Sequence, residues 1–178
     1  MELIVKKIIA AVSSLTLLSA SAFAAAPGDG TVKFTGEIVD APCAISTDSQ
    51  YQEVVLGQVA KTVFKAVGDK SPSKEFKIKL EGCDISGKNK VNVSFSGMGD
   101  ATKPDMLALN NEVGAATGVA ISIYDNANKS VVLNTGKSSN SLAAGQTVLY
   151  YSANYVATKD TVTTGYGNAS VDFNVTYE

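Results

Sequence analysis

Apolar and polar residues alternate along most of this chain. Phe76-Lys77-Ile78-Lys79-Leu80 and Val91-Asn92-Val93-Ser94-Phe95 change character at every step. That is the pattern of a strand with one face on a core and one in water. Val119 to Tyr124 alternates around β-branched residues, and Thr147 to Ala157 is long and rich in Val, Tyr and Leu, as a central strand would be. Val171-Asp172-Phe173-Asn174-Val175-Thr176-Tyr177 is the cleanest run of period two. Turn-forming clusters separate these runs: Gly68-Asp69-Lys70-Ser71-Pro72, Ser86 to Asn89, Gly97 to Asp100, Asp125 to Asn128, and Gly165 to Asn168. Short strands at this spacing predict an all-β sandwich. The pattern contains no long amphipathic helix, and only Ala101 to Leu109 suggests a single helical turn.

The two ends break the regularity. Residues 1–24 read as a cleaved signal peptide: Lys6 and Lys7, then an apolar stretch from Ile8 to Leu18, then the small-x-small site Ala22-Phe23-Ala24. The apolar stretch is too short to span a bilayer, and no later segment approaches that length, so no transmembrane segment is expected after cleavage. The exported part opens with a flexible Ala25 to Gly30. A strip follows in which Gly30, Val32, Phe34, Gly36 and Ile38 share one face. Two glycines make this a poor strand inside its own sheet, but they suit a strand that must lie close to another surface. At the other end, Val171, Phe173, Val175 and Tyr177 form an apolar face running to the penultimate residue. An edge of that kind is an aggregation hazard unless something covers it.

Composition narrows the chemistry. The sequence has 178 residues, no His, and 15 cationic side chains, all of them Lys. Without His, the common nucleophile–base pairs and most zinc and copper sites are excluded. Without Arg, bidentate grip on phosphate is missing. A net charge of −2 argues against nucleic acid as a partner. No carboxylate pair, cation loop or phosphate loop is visible, so no catalytic residue, metal or cofactor is assigned and no enzyme is expected. The Tyr150, Tyr151 and Tyr155 group reads as packing rather than as a sugar-binding platform. The only cysteines are Cys43 and Cys83. In an exported chain one structural disulfide between them is expected, and the absence of a CxxC pattern argues against redox activity.

Four features together resemble the fimbrial (pilus) subunits of the bacterial chaperone–usher pathway. They are the signal followed by Gly30-x-Val32-x-Phe34-x-Gly36, the spacing of Cys43 and Cys83, the alternating final strand with Tyr177 penultimate, and Gly165 fourteenth from the end. The stretches 30–43 and 161–178 are most similar to the major, shaft-forming subunits. The resemblance implies an incomplete immunoglobulin-like sandwich lacking its last strand, with residues 25–36 as an N-terminal donor extension and 37–178 as the pilin domain. It implies a groove beside the final strand, contributed by Gly165, Val171, Phe173, Val175 and Tyr177. It implies that Gly30, Val32, Phe34, Gly36 and Ile38 enter a neighbour's groove. The implied partners are other copies and sister subunits, a periplasmic chaperone and an outer-membrane usher. The implied destination is an adhesive fimbrium at the cell surface. A minor or adaptor subunit, or a single-domain secreted binding module, is the alternative. One departure from the pattern is Gly28, where a bulky anchor would be expected two positions before Gly30.

Overall fold

A computed structural model describes residues 30–178. The expected signal peptide and the first residues of the expected extension lie outside this range. The chain divides into two units between Glu37 and Ile38. Of the first unit, Gly30–Glu37 carries no regular secondary structure, so the alternating strip forms no strand here. An isolated strand gains its backbone hydrogen bonds only from a neighbour, and no ladder includes these residues.

The second unit is a two-sheet sandwich. Its elements are β1 (Ala44–Ile45), α1 (Thr47–Gln50), a 3-10 turn at Lys61–Val63, β2 (Lys74–Cys83), β3 (Lys90–Ser96), β4 (Val119–Asp125), β5 (Ser138–Ser141), β6 (Gly145–Ala157) and β7 (Asp172–Tyr177). One sheet has the order β1-β2-β6-β4 and the other β5-β3-β7, with every ladder antiparallel. The five strands expected from alternation are present, and the long Thr147–Ala157 run lies centrally, between β2 and β4.

The period-two pattern explains the core. Ile78 and Leu80 of β2, Ile121 and Ile123 of β4, and Leu149, Tyr151 and Ala153 of β6 face Val91, Val93 and Phe95 of the other sheet, and all are buried. Phe76, Phe95 and Tyr151 interlock at the centre, with ring centroids 5.2–6.2 Å apart. Edge-to-face and offset pairs of this kind add to simple burial. The expected disulfide joins Cys43 and Cys83 across the β1–β2 margin, with both residues buried. Cys43 lies one residue before β1 rather than within a strand.

The helical turn expected at Ala101–Leu109 is absent. The backbone there bends so that Leu107 bridges both Gly99 and Ile121. Pro104 withdraws one donor, and its backbone lies so close to Gly99 that a Cβ on Gly99 would meet it at 2.7 Å. The exchange of bonds between Leu107 and Ile121, at 2.9 Å in each direction, covers part of the outer edge of β4. Val131 covers another part by donating to the Ile123 carbonyl at 2.9 Å. Among the described residues no helix is long and apolar enough to cross a membrane.

Candidate functional site

The sheet margins are treated unequally. The edge of β4 is paired by irregular segments, as just described. At its own margin β5 is only four residues long and entirely polar, Ser138-Ser139-Asn140-Ser141, a composition that discourages further pairing. By contrast, β7 pairs with β3 on one side, and among the described residues no strand pairs with its other side.

The register makes the consequence visible. Val91 is opposite Tyr177, Val93 opposite Val175, and Phe95 opposite Phe173. Residues directly opposite in an antiparallel pair share a face, so these six side chains point the same way. On β3 they are 0%, 0% and 1% exposed, whereas on β7 their partners are only half-buried. The sheet is apolar across this face, but cover is missing on the β7 side.

A trough occupies the uncovered side. Its narrower part, 560 Å³, has Phe76, Phe95, Ile123 and Ala153 in its floor and Val171 and Phe173 in its wall. Its wider part, 1010 Å³, is lined by Tyr155, Val119 and Val162 and by the segment Gly165–Ser170. Gln52, Val54, Leu56, Ile121, Ala169 and Ser170 line both parts, so the trough is continuous. Of the expected groove residues, Gly165, Val171 and Phe173 line it. Val175 and Tyr177 continue the apolar strip beyond it, packed on the core.

The opposite wall was not singled out from the sequence. It is the segment Gln52–Val59, with Val54, Leu56 and Val59 half-buried and Val55 exposed. This segment belongs to no helix or strand, and among the described residues none of its backbone N–H groups donates a hydrogen bond. The Gln52 side chain fastens its start to β2 by donating to the Lys77 carbonyl at 3.2 Å. The Val54-Val55-Leu56 run is a sequence signal for a strand, but whether it has a partner is decided by the tertiary fold. The Gln52–Val59 segment and the outer edge of β7, neither paired by a strand among the described residues, thus flank one apolar floor. Unpaired backbone groups are hard to leave unsatisfied once water is removed, so the trough's chemistry suits one occupant, an extended peptide with alternating apolar side chains.

The stretch from Gly165 to Glu178 is held at both ends. Gly165 passes so close to the Gly114–Ala116 backbone that a Cβ would stand 2.5 Å from the Ala115 carbonyl carbon and the Ala116 nitrogen. At the other end, the Tyr177 hydroxyl donates to the Cys43 carbonyl at 3.1 Å, tying β7 to the disulfide-bearing margin. Burial raises the pKa of this phenol above the ordinary 10.0, which keeps it a donor. Lys88 Nζ donates to the Tyr177 carbonyl at 2.9 Å, and Glu178 exchanges backbone bonds with Lys90 at 3.0 Å. In the first unit Val32 and Phe34 are exposed, and Gly30 and Gly36 have no atom near their missing Cβ positions; Ile38, the first residue of the second unit, is also exposed.

A two-sheet β-sandwich with one unfilled place beside its last strand is the architecture of a pilin. Residues 32–178 match the family described as "Fimbrial protein", and the chain belongs to that family. It is 69% identical over its full length to long polar fimbria protein A of Salmonella typhimurium, with all of both chains covered. It is 64% identical, again with full coverage of both, to the probable major fimbrial subunit LpfA of Escherichia coli O157:H7. Among solved structures it resembles a subunit of a chaperone–usher pilus, with a TM-score of 0.73, 34% identity, and coverage of 85% of this chain and 97% of that one. It also resembles the P pilus rod subunit PapA, with a TM-score of 0.67, 32% identity, and coverage of 78% and 100%. The fold is therefore the incomplete immunoglobulin-like sandwich of pilins. The protein is a structural subunit of a surface fimbria rather than an enzyme, and it assembles with other subunits.

Proposed function

We propose that the trough receives a strand from another molecule and that head-to-tail repetition of this event builds the fibre shaft. An extended segment added to an open sheet edge draws affinity from main-chain bonds and specificity from pockets for alternate side chains, the known mode of donor-strand complementation in pilins. Within the fibre the donor is the strip Gly30, Val32, Phe34, Gly36 and Ile38 of the next subunit, residues 25–36 being the extension and 37–178 the accepting domain. Before assembly, a periplasmic chaperone lends a strand to the same trough, engaging Val171, Phe173, Val175 and Tyr177. The outer-membrane usher is where the next subunit displaces it. No nucleotide is required, because replacing a poorer strand by a better one runs downhill. A contact of this kind joins unlike surfaces and does not close on itself, which yields an open filament.

One observation carries the reading: the inward residues of β7 are half-buried while their cross-strand partners on β3 are at most 1% exposed. The spacing of the donor strip matches the spacing of a groove wall, since alternate side chains on any strand recur every ~6.6–6.8 Å. Phe34 is 89% exposed, so its burial in a neighbour adds to the joint and nothing to the folding of its own subunit. Phe34→Asp would place an unpaired carboxylate in an apolar slot, at a cost of several kcal/mol. Electron microscopy of cells expressing the subunit with its secretion machinery is expected to show no fibres for Phe34→Asp, while the chaperone complex still co-purifies. Normal fibres from that variant would refute the donor assignment.

A further inference from the structure

The wide end of the trough contains a contact that strand acceptance by itself does not explain. Tyr155, on β6, packs against the main core and lies in the trough floor. Its hydroxyl donates to the Gly167 carbonyl at 2.9 Å. A Cβ on Gly167 would stand 2.5 Å from that hydroxyl oxygen and 2.8 Å from the ring carbon Cζ. The wall therefore rests directly on the phenol, with no side chain between them. Burial raises the phenol's pKa, so it remains a donor through the neutral range.

The same wall is held from its far side. Ala116 N–H donates to the Tyr166 carbonyl at 2.9 Å, Tyr166 N–H to the Gly114 carbonyl at 2.9 Å, and Asn110 N–H to the Asn168 carbonyl at 2.7 Å. The Asn168 side-chain amide donates to Glu112 at 2.9 Å. Residues 161–171 belong to no strand, so no regular ladder fixes where this wall stands. Its distance from the floor is set by the phenol on one side and by the 110–116 loop on the other.

We propose that Tyr155 is a positioning residue for strand acceptance, its hydroxyl fixing the width of the slot at Gly167 so that an incoming strand finds a preformed wall. The inference rests on the trough being the strand-accepting site. A wall held at the right separation loses less conformational freedom when the strand arrives, and that saving appears as slower release. Gly167 is then glycine because the carbonyl must reach the phenol, and Tyr155 is tyrosine rather than phenylalanine because the wall needs a donor.

The test uses the full mature chain refolded with a fluorescent peptide of residues 25–40, followed by chase with unlabelled peptide. Tyr155→Phe keeps the ring in the core and removes only the donor. Loss of one hydrogen bond is expected to speed peptide release about fivefold. Hydrogen exchange at residues 165–168 should accelerate, while exchange in β2 and β3 stays as in the wild type, a pattern that a general loss of stability would not give. Gly167→Ala, whose methyl must push the wall off the phenol, is the second variant and should also speed release. Wild-type release rates in both variants would overturn the inference. A wild-type chain that takes up no peptide would overturn the strand-accepting reading and this inference with it.

Discussion

Gly165→Ala isolates one physical cause. Gly165 does not adopt the left-handed backbone that favours glycine, so alanine brings no conformational penalty there. The cost is steric. The new methyl would stand 2.5 Å from the Ala115 carbonyl carbon and the Ala116 nitrogen, with the Gly114 carbonyl oxygen nearer still. All three are backbone atoms and have no rotamer to escape into. Ordinary contact begins near 3.4 Å, so the wall must move by about 1 Å. Such a shift breaks the paired bonds between Tyr166 and residues 114 and 116, each 2.9 Å long. Two backbone bonds at roughly 1 kcal/mol each, with overpacking of about 1–3 kcal/mol, give a destabilisation of about 3–5 kcal/mol. Urea denaturation of the peptide-filled chain should register it as a lower midpoint. Gly87→Ala is the control, because no atom lies within 4 Å of its missing Cβ, and it should leave the midpoint unchanged. A Gly165→Ala midpoint equal to that of Gly87→Ala would show that the 165–168 wall yields freely, and the argument for a preformed slot would fail.

Removing the Cys43–Cys83 bridge by a double Ser substitution opens a loop with a sequence separation of 40, for which chain entropy predicts a loss of about 4 kcal/mol. The denaturation midpoint reads this directly, and an unchanged midpoint would mean that the unfolded chain is already compact there. Burial raises the pKa values of Tyr151, Tyr155 and Tyr177, so the folded state holds these protons more tightly than the unfolded chain does. Their contribution is complete below the ordinary value of 10.0 and is lost as pH climbs through the raised values, so melting temperature should fall above pH 10 and not before. A melting temperature that stays level through this range would contradict the burial of the phenols. Tyr177→Phe should leave the apolar strip intact but free the end of β7 from the Cys43 carbonyl, visible as faster hydrogen exchange at residues 175–178. Exchange as slow as in the wild type would show that the backbone bonds to Lys90 suffice.

The five principal strands were legible because each buries one face, and burial of alternate positions imposes period two on the residues themselves. The disulfide followed from two cysteines in an exported chain. The apolar final strand and the glycine-bearing strip at the other end were legible as two surfaces in need of cover, since neither is satisfied by its own sequence neighbours. The elements that alternation failed to mark are those whose form depends on distant partners. β5 is four polar residues that become a strand only because β3 lies beside them. The bend at Ala101–Leu109 serves a bond to Ile121, fourteen positions beyond Leu107. The wall at Gln52–Val59 has an apolar run like that of a strand, and nothing in its own residues says that its backbone stays unpaired. The spacing of side chains along one segment is written in that segment, and so the sequence determined which faces are apolar. Which edges remain vacant is a property of how segments meet, and it is the packing of the two sheets that leaves β7 and residues 52–59 lining one unfilled trough.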